Sequence, residues 1–235
     1  MANLRDLKFQ LGGPVVSVLR HLPGAIGAPF ETRYGYFQTW QALRIFDDIL
    51  KGAGPSDICF DFGANVGEVS QRIAATGCQV IAYEPDPDTF AILSENMKSM
   101  ENVTCRNAAV SAETGEVSIY RAPDFASDPI EKSVSTSMVR TKNNVDPSSA
   151  ITVAADGICD IIDQAGSDIF IVKMDIEGAE IEVLQKLFAS PQIHKIKYLF
   201  VETHVGSIPE QAVPLAALKA TARSLPSTYV NFDWV

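Results

Sequence analysis

Short apolar runs that end in a polar residue and lead into a turn recur along the middle of this 235-residue chain. The first covers residues 58–60. It is too short for a helix and follows a Gly-Pro-Ser turn at 54–56, so it predicts a β-strand. Asp61 comes next, where the strand is expected to end, and Gly63 and Gly67 allow the backbone to turn tightly into a helix. In twisted α/β sheets, ligands bind in the crevice beyond such strand ends.

Further runs of the same kind predict the other strands of an α/β sheet. The next run ends at Glu84 and precedes a helix over 86–98, in which Pro87 takes the first helical position. Strands are also expected at 103–107, 168–174 and 198–204, with a helix from 176 onwards, an inserted strand pair at 116–120 and 151–153, and a helix and one strand in the tail at 209–235. The fold prediction is a three-layer α/β/α sandwich with a mostly parallel sheet, whose strand ends at Asp61, Glu84, Asn107, Asp175 and His204 share one rim.

The glycine turn and Glu84 together predict a nucleoside pocket. Glu84 lies about 20 residues after the turn, at the spacing of an acid that accepts both hydroxyls of a ribose. A dinucleotide-binding turn needs a second glycine where this chain has Asn65, and no lysine follows to form a phosphate-binding loop. Asp61, ahead of the turn, repels a pyrophosphate but attracts a sulfonium or ammonium group. The pattern therefore favours S-adenosylmethionine over NAD.

Four blocks of sequence, at residues 61–67, 83–85, 172–180 and 201–204, resemble the FkbM family of S-adenosylmethionine-dependent methyltransferases. The Asp-Ile-Glu-Gly-Ala-Glu block at 175–180 is the most specific of them. The resemblance implies a Rossmann-like class I methyltransferase fold and methyl transfer to a hydroxyl oxygen of a sugar or another small molecule. It also implies that a serine-containing patch lies near the active site, which makes Ser135 and Ser137 candidate acceptor-binding residues.

The strand ends supply the candidate active site. The expected cofactor contacts are Asp61, Gly63, Asn65, Gly67, Glu84, Pro85, Asn107, Ala108 and Asp175, with Asn107 either reaching the adenine edge or only shaping a turn. Methyl transfer needs the acceptor oxygen, the methyl carbon and the sulfur in line, and a base for the hydroxyl proton. His204, expected to be neutral near pH 7, is the candidate base. Asp175 and Glu177 are its expected catalytic partners, and Glu177 and Glu202 are expected to frame the acceptor. In a less favoured alternative, the same groups bind a divalent cation.

Composition narrows the classes of partner and compartment. The net charge of −10 disfavours a nucleic-acid partner, because phosphate binding needs clustered Lys and Arg. The sequence contains no run of eighteen apolar residues, so it predicts no membrane-spanning helix. The four cysteines lie far apart without a Cys-x-x-Cys spacing, which favours reduced, buried thiols in a cytoplasmic protein.

The chain is expected to divide into a helical extension at 1–51 and a methyltransferase domain at 52–235. Apolar residues between positions 4 and 22 share one helical face. This face favours a packing or dimerisation arm, and with it a homodimer, over an interfacial membrane helix or a signal peptide. Residues 37–50 predict an amphipathic helix that covers the sheet edge or the cofactor pocket.

Two other features leave alternatives open. The polar segment at 121–150, which contains Ser135 and Ser137, is long enough to be either a functional loop or a disordered one. Two functional alternatives to the methyltransferase also remain: a non-catalytic protein that binds S-adenosylmethionine and, less favoured, an NAD-dependent oxidoreductase.

Overall fold

The computed structural model describes residues 28–123, 125, 136–142 and 145–234. These residues fall into two compact units, one made of 28–51 with 233–234 and the other of 52–232. The apolar face expected between positions 4 and 22 lies outside the described residues.

The larger unit is built on a six-stranded sheet in the order β3-β2-β1-β7-β8-β9. Adjacent strands from β3 to β8 pair in parallel, as the apolar runs predict. The strands are β1 (Ile58–Phe62), β2 (Gln79–Tyr83), β3 (Val103–Arg106), β7 (Ile169–Met174), β8 (Ile196–Glu202) and β9 (Tyr229–Trp234). β9 is the edge strand beside β8, and it follows the last helix as the tail pattern predicts.

Helices cover both faces of this sheet. They are α2 (Glu68–Ala74), α3 (Pro87–Met97), α4 (Ile158–Gln164), α5 (Glu180–Phe188) and α6 (Ala212–Ala222). Neighbouring residues of β2 belong to different cores: Tyr83 packs with α4, α5 and α6, whereas Ala82 packs with Leu93 and Met97 of α3. Because successive side chains of a strand point to opposite faces, the two cores lie on opposite sides of the sheet. The three-layer α/β/α prediction is confirmed.

A second, three-stranded sheet stands between α3 and α4 in the chain. It consists of β4 (Ala109–Ser111), β5 (Gly115–Tyr120) and β6 (Ala150–Gly157), in the order β4-β6-β5. β5 and β6 pair antiparallel, from Gly115 opposite Ala155 to Tyr120 opposite Ala150, which confirms the predicted inserted strand pair. The polar segment 121–150 connects these two strands.

Among the element boundaries that differ from the sequence prediction, two change the local structure of the site. β1 runs on through Asp61 to Phe62, because Phe62 is fully buried and continues the pairing with β2 and β7. The helix expected from residue 176 begins only at Glu180, since Glu177 and Gly178 take positive φ angles of 57° and 107° that no α-helix accommodates.

The smaller unit contains helix α1 (Ala28–Leu50) and the end of β9. Phe46 is fully buried and contacts Trp234 edge to face, with ring centroids 4.7 Å apart. The Gln38 side chain donates a hydrogen bond of 3.1 Å to Oδ1 of Asp233. The helix predicted at 37–50 is therefore present and extends further towards the N-terminus. In the described part of the chain, no helix is both long and apolar enough to cross a membrane.

Candidate active site

The glycine turn after β1 is pinned between the two neighbouring strands. The backbone N–H groups of Gly63 and Ala64 both donate to the carbonyl oxygen of Tyr83, at 3.0 and 2.8 Å. Gly63 has φ +75°, and a Cβ at this position would lie 1.7 Å from the carbonyl oxygen of Asp175. Only glycine fits here, so the close approach of β1 and β7 depends on this residue.

Glu84 faces the turn from the end of β2 and is held by the backbone. Its Oε2 accepts the N–H of Asn65 at 3.0 Å, and its Oε1 accepts the N–H of Asp86 at 3.0 Å. Burial raises the pKa of Glu84 to about 7, although these two N–H donors oppose the shift. The carboxyl group is thus fixed in position and sits close to its ionisation point at neutral pH.

The sequence predicted a cofactor contact for Asp61, but the structure does not place this residue at the cavity. It is fully buried and forms no part of the cavity wall. Its Oδ2 accepts a hydrogen bond of 2.6 Å from the Ser70 hydroxyl, and its Oδ1 lies 3.4 Å from Nζ of Lys173. Lys173, itself buried, also donates a hydrogen bond of 2.8 Å to the carbonyl oxygen of Gly63. Asp61 therefore supports the turn from behind, because β1 continues past it.

Asn107 follows β3 as predicted, but its amide is already engaged. Its Nδ2 donates to the carbonyl oxygens of Glu84 and Pro85, at 2.9 and 3.1 Å. Its side chain is absent from the cavity wall, whereas the next residue, Ala108, lines it. These contacts correspond to the turn-shaping role that the sequence left open.

Carboxylates collect at the opposite end of the cavity. Met174 of β7 pairs with Val201 of β8, so the next residues, Asp175 and Glu202, lie side by side where the two strands end. Asp175 lies 3.5 Å from Nζ of Lys173, and Glu177 forms an ion pair with the buried Lys142. We call Asp175, Glu177, Glu202 and His204 the acidic end.

His204 stands among these carboxylates. Its Nε2 lies 3.2 Å from Glu177 and 3.8 Å from both Asp175 and Glu202. Its Nδ1 is 3.2 Å from Oε1 of Glu180, as an ion-pair contact without full hydrogen-bond geometry. His204 is not itself part of the cavity wall, which its three neighbours on the Nε2 side form.

Protonation at the acidic end differs from the sequence expectation. Burial disfavours the imidazolium ion, but the carboxylates of Glu180 and Asp175 favour it more, and the pKa of His204 is raised overall. Burial, followed by the charge of Asp175, raises the pKa of Glu202 to about 7. The sequence analysis expected His204 to be neutral near pH 7. In the structure, the pKa of His204 is raised, and the neighbouring Glu202 has a pKa of about 7.

The turn between β7 and α5 is organised by Glu180. This residue is 1% exposed, and its two carboxylate oxygens accept the backbone N–H groups of Ile176 and Gly178 at 2.8 and 2.9 Å. A Cβ on Gly178 would meet Ile208 at 2.5 Å. Glu180, the last residue of the Asp-Ile-Glu-Gly-Ala-Glu block, therefore folds a turn that presents Glu177 to the cavity.

Part of the inserted segment, residues 136–142, lies across the site, and we call it the strap. Ser137 exchanges both backbone hydrogen bonds with Tyr120 of β5, at 2.8 and 3.0 Å. The Ser137 hydroxyl donates to the carbonyl oxygen of Glu177, and Lys142 reaches the Glu177 carboxylate. Ser135 lies outside the described residues. The strap thus joins β5 to the turn that carries the catalytic candidates.

One cavity of about 280 Å³ connects these parts. Among the predicted site residues, its wall includes Gly63, Asn65, Glu84, Pro85, Ala108, Asp175, Glu177 and Glu202. Gly67 lies outside it, as the residue that precedes α2. The wall is completed by seven residues that were not among the predicted site residues: Tyr83, Ala109, Val110, Ile119, Thr136, Met138 and Ile176. Tyr83 and Ile176 lie in the blocks that resemble the FkbM family, whereas Ala109, Val110 and Ile119 are apolar residues without a functional signal in the sequence.

Two residues of the acidic end, together with the neighbouring Glu180, are also close enough to bind one divalent cation. Ligand atoms of Asp175, Glu180 and His204 lie within 4.8 Å of one another. However, Lys173 lies beside Asp175, and the Glu180 oxygens already accept backbone N–H groups. The Lys173 ammonium group thus supplies positive charge beside Asp175, and backbone donors already occupy the Glu180 oxygens.

Comparison with known proteins identifies the family and several relatives of this chain. Residues 61–222 match the model of the methyltransferase FkbM domain. The chain is 27% identical over 186 residues to the hexuronic acid methyltransferase AglP of Haloferax volcanii, covering 79% of this chain and 71% of that protein. It is 24% identical over 173 residues to the 2-O-methyltransferase NoeI of Sinorhizobium fredii, covering 70% of each.

Among solved structures, the chain is similar to a precorrin-6y C5,15-methyltransferase from Geobacter metallireducens, at 12% identity and a TM-score of 0.39, with 76% of this chain and 70% of that chain covered. This similarity is too low to bear on function. The family model, by contrast, spans more than half of the chain and includes both ends of the cavity. The chain belongs to the FkbM family of methyltransferases.

Proposed function

We propose that this enzyme transfers the methyl group of S-adenosylmethionine to a hydroxyl oxygen of a sugar or a similar small molecule. One observation carries the proposal: a single cavity joins the buried, backbone-held carboxyl group of Glu84 to the carboxylates around His204. The first end suits a ribose and the second an acceptor that must lose a proton. The named activities of AglP and NoeI, on a hexuronic acid and at a 2-O position, support a sugar-like acceptor.

The donor would lie between Glu84 and the glycine turn, with its sulfonium group towards the acidic end. Glu84 has the acceptor atoms that two ribose hydroxyls need. Asp175, Glu177 and Glu202 face the same cavity and would favour a positively charged sulfonium group there. A pyrophosphate would meet these carboxylates unfavourably, which argues against a dinucleotide.

At the acidic end, an acceptor hydroxyl would attack the methyl carbon as the carbon–sulfur bond breaks. The oxygen gains the methyl group, the sulfur keeps the bonding electrons and becomes a thioether, and the hydroxyl proton must leave. We assign that proton to Nε2 of His204, with Asp175 and Glu177 aligning the hydroxyl and Glu202 framing the acceptor. Glu180, 3.2 Å from Nδ1, fixes the ring so that Nε2 faces the cavity wall.

The proposal is tested in two stages on the whole chain. Calorimetry should show binding of S-adenosylhomocysteine and no comparable binding of NAD. A labelled-methyl assay on glycosides of neutral sugars and of hexuronic acids should then give a product whose new methyl carbon is bonded to oxygen by NMR. Methylation confined to nitrogen or carbon would contradict the oxygen assignment. Tight binding of S-adenosylhomocysteine without turnover on any acceptor would support the non-catalytic alternative.

A further inference from the structure

Thr136, in the strap, carries a buried hydroxyl that has no partner. The residue is 8% exposed, and within the described part of the chain its Oγ1 finds no hydrogen bond. It nevertheless lines the cavity. A buried hydroxyl without a hydrogen bond costs about 1–3 kcal/mol, so its retention at this position points to a ligand that satisfies it.

The pairing of the strap with β5 places Thr136 at one particular end of the cavity. Ser137 pairs antiparallel with Tyr120, which puts Thr136 opposite Arg121 and Met138 opposite Ile119. Arg121 in turn binds Asp86 through two hydrogen bonds of 2.6 and 2.9 Å, two residues beyond Glu84. Thr136 therefore lies opposite the arginine that is tied to Asp86, whereas Ser137 and Lys142, further along the strap, contact Glu177.

The wall around Thr136 has the character of a site for a flat aromatic base. Ala108, Ala109, Val110 and Ile119 line the same cavity and offer no side-chain hydrogen bonds. When Glu84 holds the ribose of S-adenosylmethionine and the sulfonium group points towards the acidic end, the adenine base points away from that end, into this apolar region. The base edge still needs a polar partner, and the amide nitrogen of Asn107 is committed to two backbone carbonyls.

We propose that the Thr136 hydroxyl recognises the edge of the cofactor's adenine ring. A hydroxyl can donate to a ring nitrogen or accept from the exocyclic amine, so it suits either position on that edge. This inference rests on the proposed function, because it requires an adenosine-containing cofactor. It makes the inserted strap part of the donor site at one end and part of the acidic end at the other.

The test compares Thr136→Val, which keeps the shape and removes the hydroxyl, with Thr136→Ser, which keeps the hydroxyl. Calorimetry should show that T136V binds S-adenosylhomocysteine about 2- to 12-fold more weakly than the wild type, while T136S stays close to it. The same fold loss is expected for 5′-methylthioadenosine, which has the adenine but lacks the amino acid arm. Free T136V should melt at the same temperature as the wild type or higher, because an unsatisfied buried hydroxyl has been removed.

The contrary outcomes are distinct. Unchanged affinity of T136V for both ligands would overturn the inference and leave the proposed function intact. A loss for S-adenosylhomocysteine alone would place the hydroxyl at the amino acid arm and equally overturn it. A lower melting temperature with unchanged affinity would assign Thr136 a purely structural role. Failure of the wild type to bind either ligand would overturn the inference together with the proposed function.

Discussion

The two ends of the cavity use carboxyl groups in opposite ways. At the glycine-turn end (Gly63, Asn65, Glu84 and Pro85), Glu84 is held by backbone N–H donors, and no side-chain cation of the described residues forms an ion pair with it. At the acidic end, Glu177 contacts Lys142 and His204, and Asp175 contacts Lys173. Backbone donors fix a carboxyl group without neutralising it, whereas ion pairs connect several ionisable groups. The first arrangement suits recognition of a neutral sugar ring, and the second suits proton transfer.

The two ends also differ in how the chain builds them. The glycine-turn end comes from two consecutive strands and the turns that follow them. The acidic end requires β7, β8, the turn before α5 and the strap, which lie far apart in the sequence. Mutations at the first end should therefore affect folding and donor affinity, and mutations at the second should affect turnover.

The largest effect is expected from Gly63→Ala. The added Cβ would meet the Asp175 carbonyl oxygen at 1.7 Å, and φ is +75°. Gly166→Ala is the matched control, because Gly166 has φ +69° and nothing within 4 Å of the added Cβ. Denaturant unfolding should show a loss of about 1–2 kcal/mol for G166A, from the backbone angle alone. For G63A the loss should reach about 4 kcal/mol or more.

Equal losses for the two alanine variants would contradict this account of the turn. They would mean that β1 and β7 can separate at little cost, and that the close approach of the turn to Asp175 does not hold the cavity together.

The next largest effect is expected from His204→Gln. Without the base, turnover should fall about 100-fold or more, while the dissociation constant of S-adenosylhomocysteine stays within about twofold. His194→Gln is the control, since His194 is exposed and its ring lies within hydrogen-bond distance of the Ser227 hydroxyl, away from the cavity wall. In the wild type, kcat/KM should rise with pH through a value above the ordinary pKa of histidine, because the pKa of His204 is raised.

Near-normal turnover of H204Q would remove His204 as the base and leave Glu202, whose pKa of about 7 also suits that role, as the next candidate to substitute. Loss of activity on treatment with EDTA, restored by a divalent cation, would instead support the metal alternative at Asp175, Glu180 and His204.

The same division explains what the sequence could predict. The positions of the main strands, the glycine turn and Glu84 follow from short-range patterns, because each involves residues adjacent in the chain or in consecutive strands. Asp61 was misplaced because its polar side chain suggested the end of a strand, whereas the following Phe62 is fully buried and keeps the strand going. A polar residue inside a strand is readable only once its partner, here Lys173, is known.

The acidic end was predicted in composition but not in arrangement. His204, Asp175, Glu177 and Glu202 could be named from the order of strands. The roles of Glu180, Thr136 and Lys142 could not, because they depend on a turn with two positive φ angles and on a strap whose contacts with Glu177 span 35 or more residues of the chain. No periodicity in the sequence encodes such contacts.

A smaller effect is expected from Glu84→Gln. Replacing one carboxylate oxygen by an amide directs a donor towards the N–H of Asn65 or Asp86 and removes an acceptor for the ribose. Affinity for S-adenosylhomocysteine should fall about 10- to 100-fold, as for loss of hydrogen bonds to a charged group. Glu95→Gln, at an exposed ion pair with Lys98, should leave it unchanged. Calorimetry and a melting curve on each variant separate lost affinity from lost folding, and unaltered affinity in E84Q would refute the ribose role.

The smallest expected effect is the pH dependence of donor binding, and it distinguishes the two ends of the cavity. Glu84 and Glu202 both have pKa values raised to about 7, so either could make donor binding pH-dependent. A ribose needs the ionised form of Glu84 as acceptor, so affinity for 5′-methylthioadenosine should rise by at most about tenfold from pH 6 to pH 8 and then level off. Asp86 and Lys173 also act on Glu84, but with opposite signs. The dependence should vanish in E84Q and persist in Glu202→Gln. The reverse result would show that the acidic end, and not the glycine-turn end, controls donor binding.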